Sequence, residues 1–238
     1  MTDAVPFSED PVADLISLLD LERIEVNLFR GQSPDDGMRR VFGGQVIAQA
    51  LVAAYRTVET RVCHSLHAYF IRPGDPTIPI LYEVDRARDG KSFATRRVTA
   101  IQHGEQIFNL AASFQVAEPG FTHQSPMPET KKPAELLSED ELRAMAKDHI
   151  PKEFQKQFSR PRPLELKPVD PRQMISPMKT EPRKHMWMRA RGTVGHDVAL
   201  QQCLLAYASD MGILDTSTKP HGVNWFTGGV QMASLDHS

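Results

Sequence analysis

Cysteine is scarce: only Cys63 and Cys203 occur in 238 residues, in no CxxC or metal-ligand spacing. A disulfide framework is thereby excluded, and the usage points to a reducing compartment in which both thiols serve as small buried hydrophobes. A surplus of one charge is also missing. The 28 Lys and Arg balance 30 Asp and Glu to leave −2, and like charges nowhere form a long block. The chain lacks the electrostatic footprint of a protein that binds nucleic acid or an anionic membrane. Long apolar runs are absent too. The longest strongly apolar stretch, Val46 to Tyr55, contains Gln49 and falls far short of the roughly 20 residues of a membrane span. Asp3, Glu9 and Asp10 stand where a secretory leader needs positive charge. The expectation is a soluble cytoplasmic protein with no nucleic-acid and no membrane partner.

What is present fits an ordinary globular chain. Apolar residues make up 40%, and the length suits one large domain or two small ones. Prolines mark the joints, with eleven of the 18 lying between Pro119 and Pro182. Proline lacks a backbone donor and pushes its preceding residue out of the helical region, so that stretch cannot be continuous helix or central strand. The sequence therefore divides into a leader and first domain over 1–117, a Pro-rich connector over 118–162 and a second domain over 163–238. The connector carries one short helix near Ser138 to Lys147, opened by Ser138 and Glu141 in capping-box spacing.

The same order of elements occurs on both sides of the connector. Leu21–Arg30 alternates as a strand, and a polar loop leads to Gly43-Gly44. The run from Gln45 to Tyr55 is apolar on nearly all sides, so as a helix it must be buried. Four strand-like runs follow: Val62–Ile71, Ile78–Arg88, Ser92–Ile101 and Gln106–Val116. Short turns at Asp89-Gly90 and His103-Gly104 join the last three, and the Asp-Gly pair predicts a hairpin turn with positive φ. A sheet wrapped around one long helix is expected. The second half restarts with a strand over Lys184–Thr193 and an apolar helix over Asp197–Ser209. Ser234-Leu235-Asp236-His237 then echoes Ser65-Leu66-His67. The first repeat continues for three more strands beyond that echo. The second therefore reads as a truncated copy of a longer protein, or as a sheet completed by a partner chain. Its unpaired strand edges predict a homo-oligomer.

Few residues suggest chemistry from spacing alone. Gly43-Gly44 heads the buried helix, where unpaired N–H groups and the helix dipole can receive a phosphate or a developing oxyanion; Gly44 and Gln45 are the candidate oxyanion or substrate contacts. The same glycines can equally serve a tight turn. Asp210 ends the second apolar helix, where the dipole disfavours negative charge, beside Tyr207 and Met211. It is a candidate general base, or an ordinary exposed residue of a last turn. Ser234 has no Gly-x-Ser-x-Gly elbow around it and is either a supporting hydrogen-bond donor or a serine facing solvent. His64 and His67 are three apart on a strand and face opposite ways, while His185, His196 and His221 have no ligand spacing; no metal and no cofactor is expected. Arg96-Arg97, beside Lys91, reads as solvated edge charge.

Several ordered motifs carry a resemblance. Val41-Phe42-Gly43-Gly44-Gln45-Val46, His64-Ser65-Leu66-His67-Ala68-Tyr69-Phe70-Ile71-Arg72-Pro73-Gly74-Asp75 and Arg88-Asp89-Gly90-Lys91-Ser92-Phe93 are followed by Arg96-Arg97-Val98 and Ser113-Phe114-Gln115. Ala206-Tyr207-Ala208-Ser209-Asp210 and Ala233-Ser234-Leu235-Asp236-His237-Ser238 complete the set. Together they resemble the type II acyl-CoA thioesterases, the TesB family. The resemblance implies an α+β double hot-dog, two antiparallel sheets each wrapped around a long buried helix, with the second hot-dog incomplete here. It implies hydrolysis of fatty acyl-CoA to a free fatty acid and coenzyme A without metal or covalent cofactor. The family's aspartate, its threonine or serine and its glutamine orient and activate a water. The aspartate falls on Asp210 and the hydroxyl on Ser234. The glutamine has no counterpart, since neither Gln115 nor Gln231 occupies its motif. A non-catalytic hot-dog protein that binds acyl-CoA or forms an oligomer is the alternative. Hydration of an enoyl thioester is disfavoured, because the motifs match thioesterases specifically.

Overall fold

Asp10 opens the first helix of the chain. Its carboxylate accepts from the amides of Val12 and Ala13, at 3.0 and 3.1 Å, and Pro11 brings no donor to leave unpaired. Val12, Leu15, Leu18 and Leu19 then form the buried stripe of α1 (Pro11–Leu19). The computed structural model describes residues 8–34, 37–145, 162–172, 178–223 and 230–238. Helix α1 is an addition to the elements read from the sequence, which treated this segment as a leader.

Nine strands form among the described residues: β1 (Glu22–Glu25), β2 (Leu28–Gly31), β3 (Val62–Phe70), β4 (Ile80–Asp89), β5 (Phe93–Gln102), β6 (Glu105–Gln115), β7 (Leu164–Pro168), β8 (Met186–Ala190) and β9 (Asp236–His237). Seven of them make one antiparallel sheet in the order β1-β2-β4-β5-β6-β3-β9. Helix α2 (Gly43–Tyr55) lies against β2, β4, β5 and β6 and is buried without a gap from Gly44 to Leu51, as its all-round apolar composition requires. The register aligns Val84, Val98, Leu110 and Ala68 in one buried row across four strands, and the row ends on His237 of β9. Residues paired across a ladder share a face, so His237 points to the side of the sheet that carries the core.

Local details depart from the expectations. Leu21–Arg30 is a hairpin, β1 and β2, reversing at Val26-Asn27. Alternation alone carries no sign of the reversal, which is fixed when Val84 N–H donates to the Asn27 carbonyl and Arg86 to its side chain. Asp89 stays in the β4–β5 ladder opposite Ala94, so that turn runs through Gly90-Lys91-Ser92 and Gly90 has no positive φ. The two-residue turn with positive φ is instead His103-Gly104, at 52° and 74°. Arg96 is not a solvated edge charge. It lies on a central strand, 1% exposed, and donates to Thr57 Oγ1 and O, to the Arg88 carbonyl and to Asp89. Arg97, on the other face, is exposed. The strand expected over Lys184–Thr193 is confined to β8.

The described residues fall into two compact units that do not follow chain order. The first takes 1–119, 193–211 and 234–238; the second takes 120–192 and 212–233. Helix α3 (Glu139–Met145), β7, β8 and the short α5 (Leu214–Thr218) belong to the second, while α4 (Val198–Ser209) belongs to the first. In α3 the capping box is formed: Ser138 Oγ accepts from Glu141 N–H at 3.2 Å, and the Glu141 carboxylate accepts from Ser138 N–H at 2.7 Å. Among the described residues, strands β7 and β8 pair only with each other, and Leu164 and Leu166 are buried. Within the first unit α4 packs on α2 through Cys203, Leu204 and Ala206, which join the same core as the sheet. No helix among the described residues is long and apolar enough to cross a membrane.

Candidate active site

Asp197 begins α4 by accepting from Ala199 N–H at 2.9 Å, and the helix runs to Ser209 with Asp210 as its C-cap. Its last turn meets the first turn of α2 at van der Waals limits: a Cβ on Gly44 would stand 2.4 Å from the Tyr207 carbonyl oxygen. A Cβ on Gly43 would stand 2.6 Å from Asp210 Oδ2 and 2.9 Å from the Phe70 ring. Glycine at both positions is what lets the carboxylate reach the helix end.

That contact reverses the electrostatic expectation for Asp210. Its own helix ends there and disfavours the charge, but the carboxylate sits at the N-terminus of α2 and accepts from Gly44 N–H. Ser234 Oγ donates to Asp210 Oδ1 across 3.5 Å, and His237 Nδ1 lies 4.0 Å from the same oxygen. Burial raises the Asp210 carboxyl above its ordinary value, although His237, Gly44 N–H and Ser234 each pull it down. Phe42 meets Tyr207 edge-on with centroids 5.1 Å apart, and Phe70 packs on Phe108 at 5.2 Å, so aromatic rings flank both glycines.

The structure thus brings Asp210, Ser234 and Gly44 together. Gln45 is one residue away and directed elsewhere: its side-chain amide donates to Gln32 O and Ser33 Oγ, both at 3.0 Å, and its N–H to Phe42 O at 3.1 Å. His237 is the addition that spacing did not single out. The echo gives no signal for it, since it sets His237 against His67, which is exposed; the inward direction comes from the ladder pairing with Ala68. Of the other histidines, His64 bonds Ser113 Oγ at 2.8 Å and His67 lies beside Tyr69. Cys203 is buried and Cys63 half-buried, and desolvation pushes both thiols up. The Tyr55 hydroxyl accepts from Cys63 N–H at 2.7 Å, donates to Gln202, and is pushed up to about 12 by burial. Among the described residues no three His, Cys, Asp or Glu side chains are grouped to hold a metal ion.

Two family models match the chain: the acyl-CoA thioesterase N-terminal domain over residues 32–115 and acyl-CoA thioesterase over 154–238. Acyl-CoA thioesterase 2 of Haemophilus influenzae is 40% identical over 230 residues, spanning 96% of this chain and 80% of that protein. The chain belongs to the acyl-CoA thioesterase family. Among solved thioesterase structures, the tesB protein of Mycobacterium avium subs paratuberculosis superposes with a TM-score of 0.75 at 30% identity, covering 95% of this chain and 78% of that one. A hot-dog protein of Alicyclobacillus acidocaldarius, 18% identical, shares the fold with a TM-score of 0.65 over 87% of this chain and 72% of its own. The sheet around α2 is therefore a hot-dog, the fold class expected for this family. The two thioesterase models divide the site between them: Gly43 and Gly44 lie in the first, and Asp210, Ser234 and His237 in the second.

Proposed function

We propose that the protein hydrolyses fatty acyl-CoA thioesters to a free fatty acid and coenzyme A, using a water oriented by Asp210 and Ser234. One observation carries this reading: a nearly buried carboxylate held at the positive end of a buried helix, with a hydroxyl beside it. Thioester hydrolysis needs a base for water and positive potential where the carbonyl oxygen gains charge. Asp210 supplies the base, and burial moves its pKa upward, toward the working range of a general base. Gly44 N–H holds the carboxylate in place. Substrate contact at Gly44 and Gln45 then comes from the field of the helix end, since the N–H of each is already bonded. The reaction takes place in the cytoplasm, and the exposed Val198 and Leu205 of α4 support a homo-oligomer of this chain.

Thiol release from a graded series of acyl-CoAs tests the proposal. The wild type should turn over, and Asp210→Asn should lower kcat by about 10²–10³-fold with KM little changed. An Asp210→Asn protein as active as wild type would refute the assigned base. Calorimetric binding of acyl-CoA by a wild type that releases no thiol would favour the binding module instead.

A further inference from the structure

The hydrogen atoms around His237 can be counted. Ser209 has one hydroxyl hydrogen, and it is donated to the Ala206 carbonyl at 2.8 Å. The 2.9 Å contact between Ser209 Oγ and His237 Nε2 therefore has the ring as donor. Nε2 carries the hydrogen, and in the neutral ring Nδ1 is left as an acceptor. That acceptor faces another, Asp210 Oδ1, at 4.0 Å, with both side chains nearly buried. The distance is too long for a direct hydrogen bond. A water oxygen about 2.8 Å from each atom spans it with its two O–H bonds aimed at the two acceptors. The ring cannot easily turn away: its strand is paired at Ala68, its face of the sheet is the core face, and Ser209 anchors its far side.

We propose that His237 is the second acceptor for the hydrolytic water, its Nδ1 and Asp210 Oδ1 together holding both hydrogens so that the oxygen lone pair is presented to the thioester carbon, while Ser234, whose own hydrogen goes to Asp210 Oδ1, orients the water through that carboxylate. This rests on the thioesterase reading above. As the water oxygen bonds to the carbonyl carbon, the hydrogen aimed at Asp210 passes to the carboxylate. The other stays on the oxygen, held by His237. When the carbon–sulfur bond breaks, the departing sulfur takes the proton from Asp210, leaving a carboxylic acid and a free thiol. His237 is thereby a catalytic residue and Ser209 a positioning residue.

Steady-state thiol release from one acyl-CoA by the full chain decides the matter, with folding checked by thermal melting. His237→Phe, which removes the acceptor, should lower kcat about 100-fold with KM within about threefold. His237→Asn, whose carbonyl can stand near the Nδ1 position, should recover at least tenfold of that loss. Ser209→Ala frees the ring without touching the water and should lower kcat about tenfold at unchanged KM. A folded His237→Phe with wild-type kcat, or an Asn variant no better than Phe, overturns the assignment while leaving the thioesterase intact. If His237→Phe does not fold, an unchanged kcat in Ser209→Ala overturns it. Absence of thiol release from the wild type overturns the thioesterase reading first, and this assignment with it.

Discussion

Asp210 is held charged in a place where burial opposes charge, and the opposition has a measurable sign. Its folded pKa lies above the ordinary 3.8, so the folded chain binds a proton more readily than the unfolded chain does. The stabilising contribution of the protonated form is complete below the unfolded value and is lost as pH rises through the folded one. At neutral pH the ionised carboxylate therefore burdens the fold. Asp210→Asn should melt at a higher temperature than wild type at pH 7, and the difference should narrow toward pH 4, as read by thermal melts across that range. Activity should follow the same group once His237 is removed: in His237→Phe the acid limb of kcat/KM should lie above pH 3.8, and a limb at or below that value would exclude Asp210 as the base. A site that gains stability when its base is neutralised is the trade expected of groups kept for chemistry.

Elements meet in this fold through backbone as much as through side chains. At Gly44 the nearest obstacle is the Tyr207 carbonyl, part of a helix and unable to yield. Gly44→Ala should therefore force α2 and α4 apart, destabilising the protein by about 1–3 kcal/mol and weakening activity by pulling Asp210 from its N–H donor. Arg96 ties the end of α2 to the sheet through Thr57, and Arg96→Met should cost about 3 kcal/mol in chemical denaturation because buried carbonyls lose a charged donor. Helix α2 and strands β3 to β6 were legible in the sequence, since all-round apolar composition asks for a buried helix and strand-like runs bounded by short polar turns ask for a meander. At Arg96 the two signals conflict: Ala94, Val98 and Ala100 place it on the inner face, whereas its charge points to solvent, and the structure follows position. For Asp210 and Ser234 position in the chain leaves a functional and a plain reading open, and only the resemblance decides. What unites them with Gly44 is a close approach of two helix ends, and no local spacing encodes that.

At the scale of the molecule, the first unit is stitched from three separated stretches of chain, and its core runs from α1 through the sheet to α4. Its helices should therefore open together. Native-state hydrogen exchange should show the buried amides of α2 and α4 protected to a common level, above the amides of α3 in the other unit; protection of α2 without α4 would deny that they share one cooperative core. The helix pair also sets a timetable for synthesis. α2 leaves the ribosome with residues 43–55, whereas its partner follows only at 198–209. At about 5–20 residues per second, roughly seven to thirty seconds pass in which the flank of α2 meant for Cys203, Leu204 and Ala206 has no cover. For that interval the nascent chain shows an apolar helix face to the cell, and the demand it makes on chaperones is written into the order of its elements.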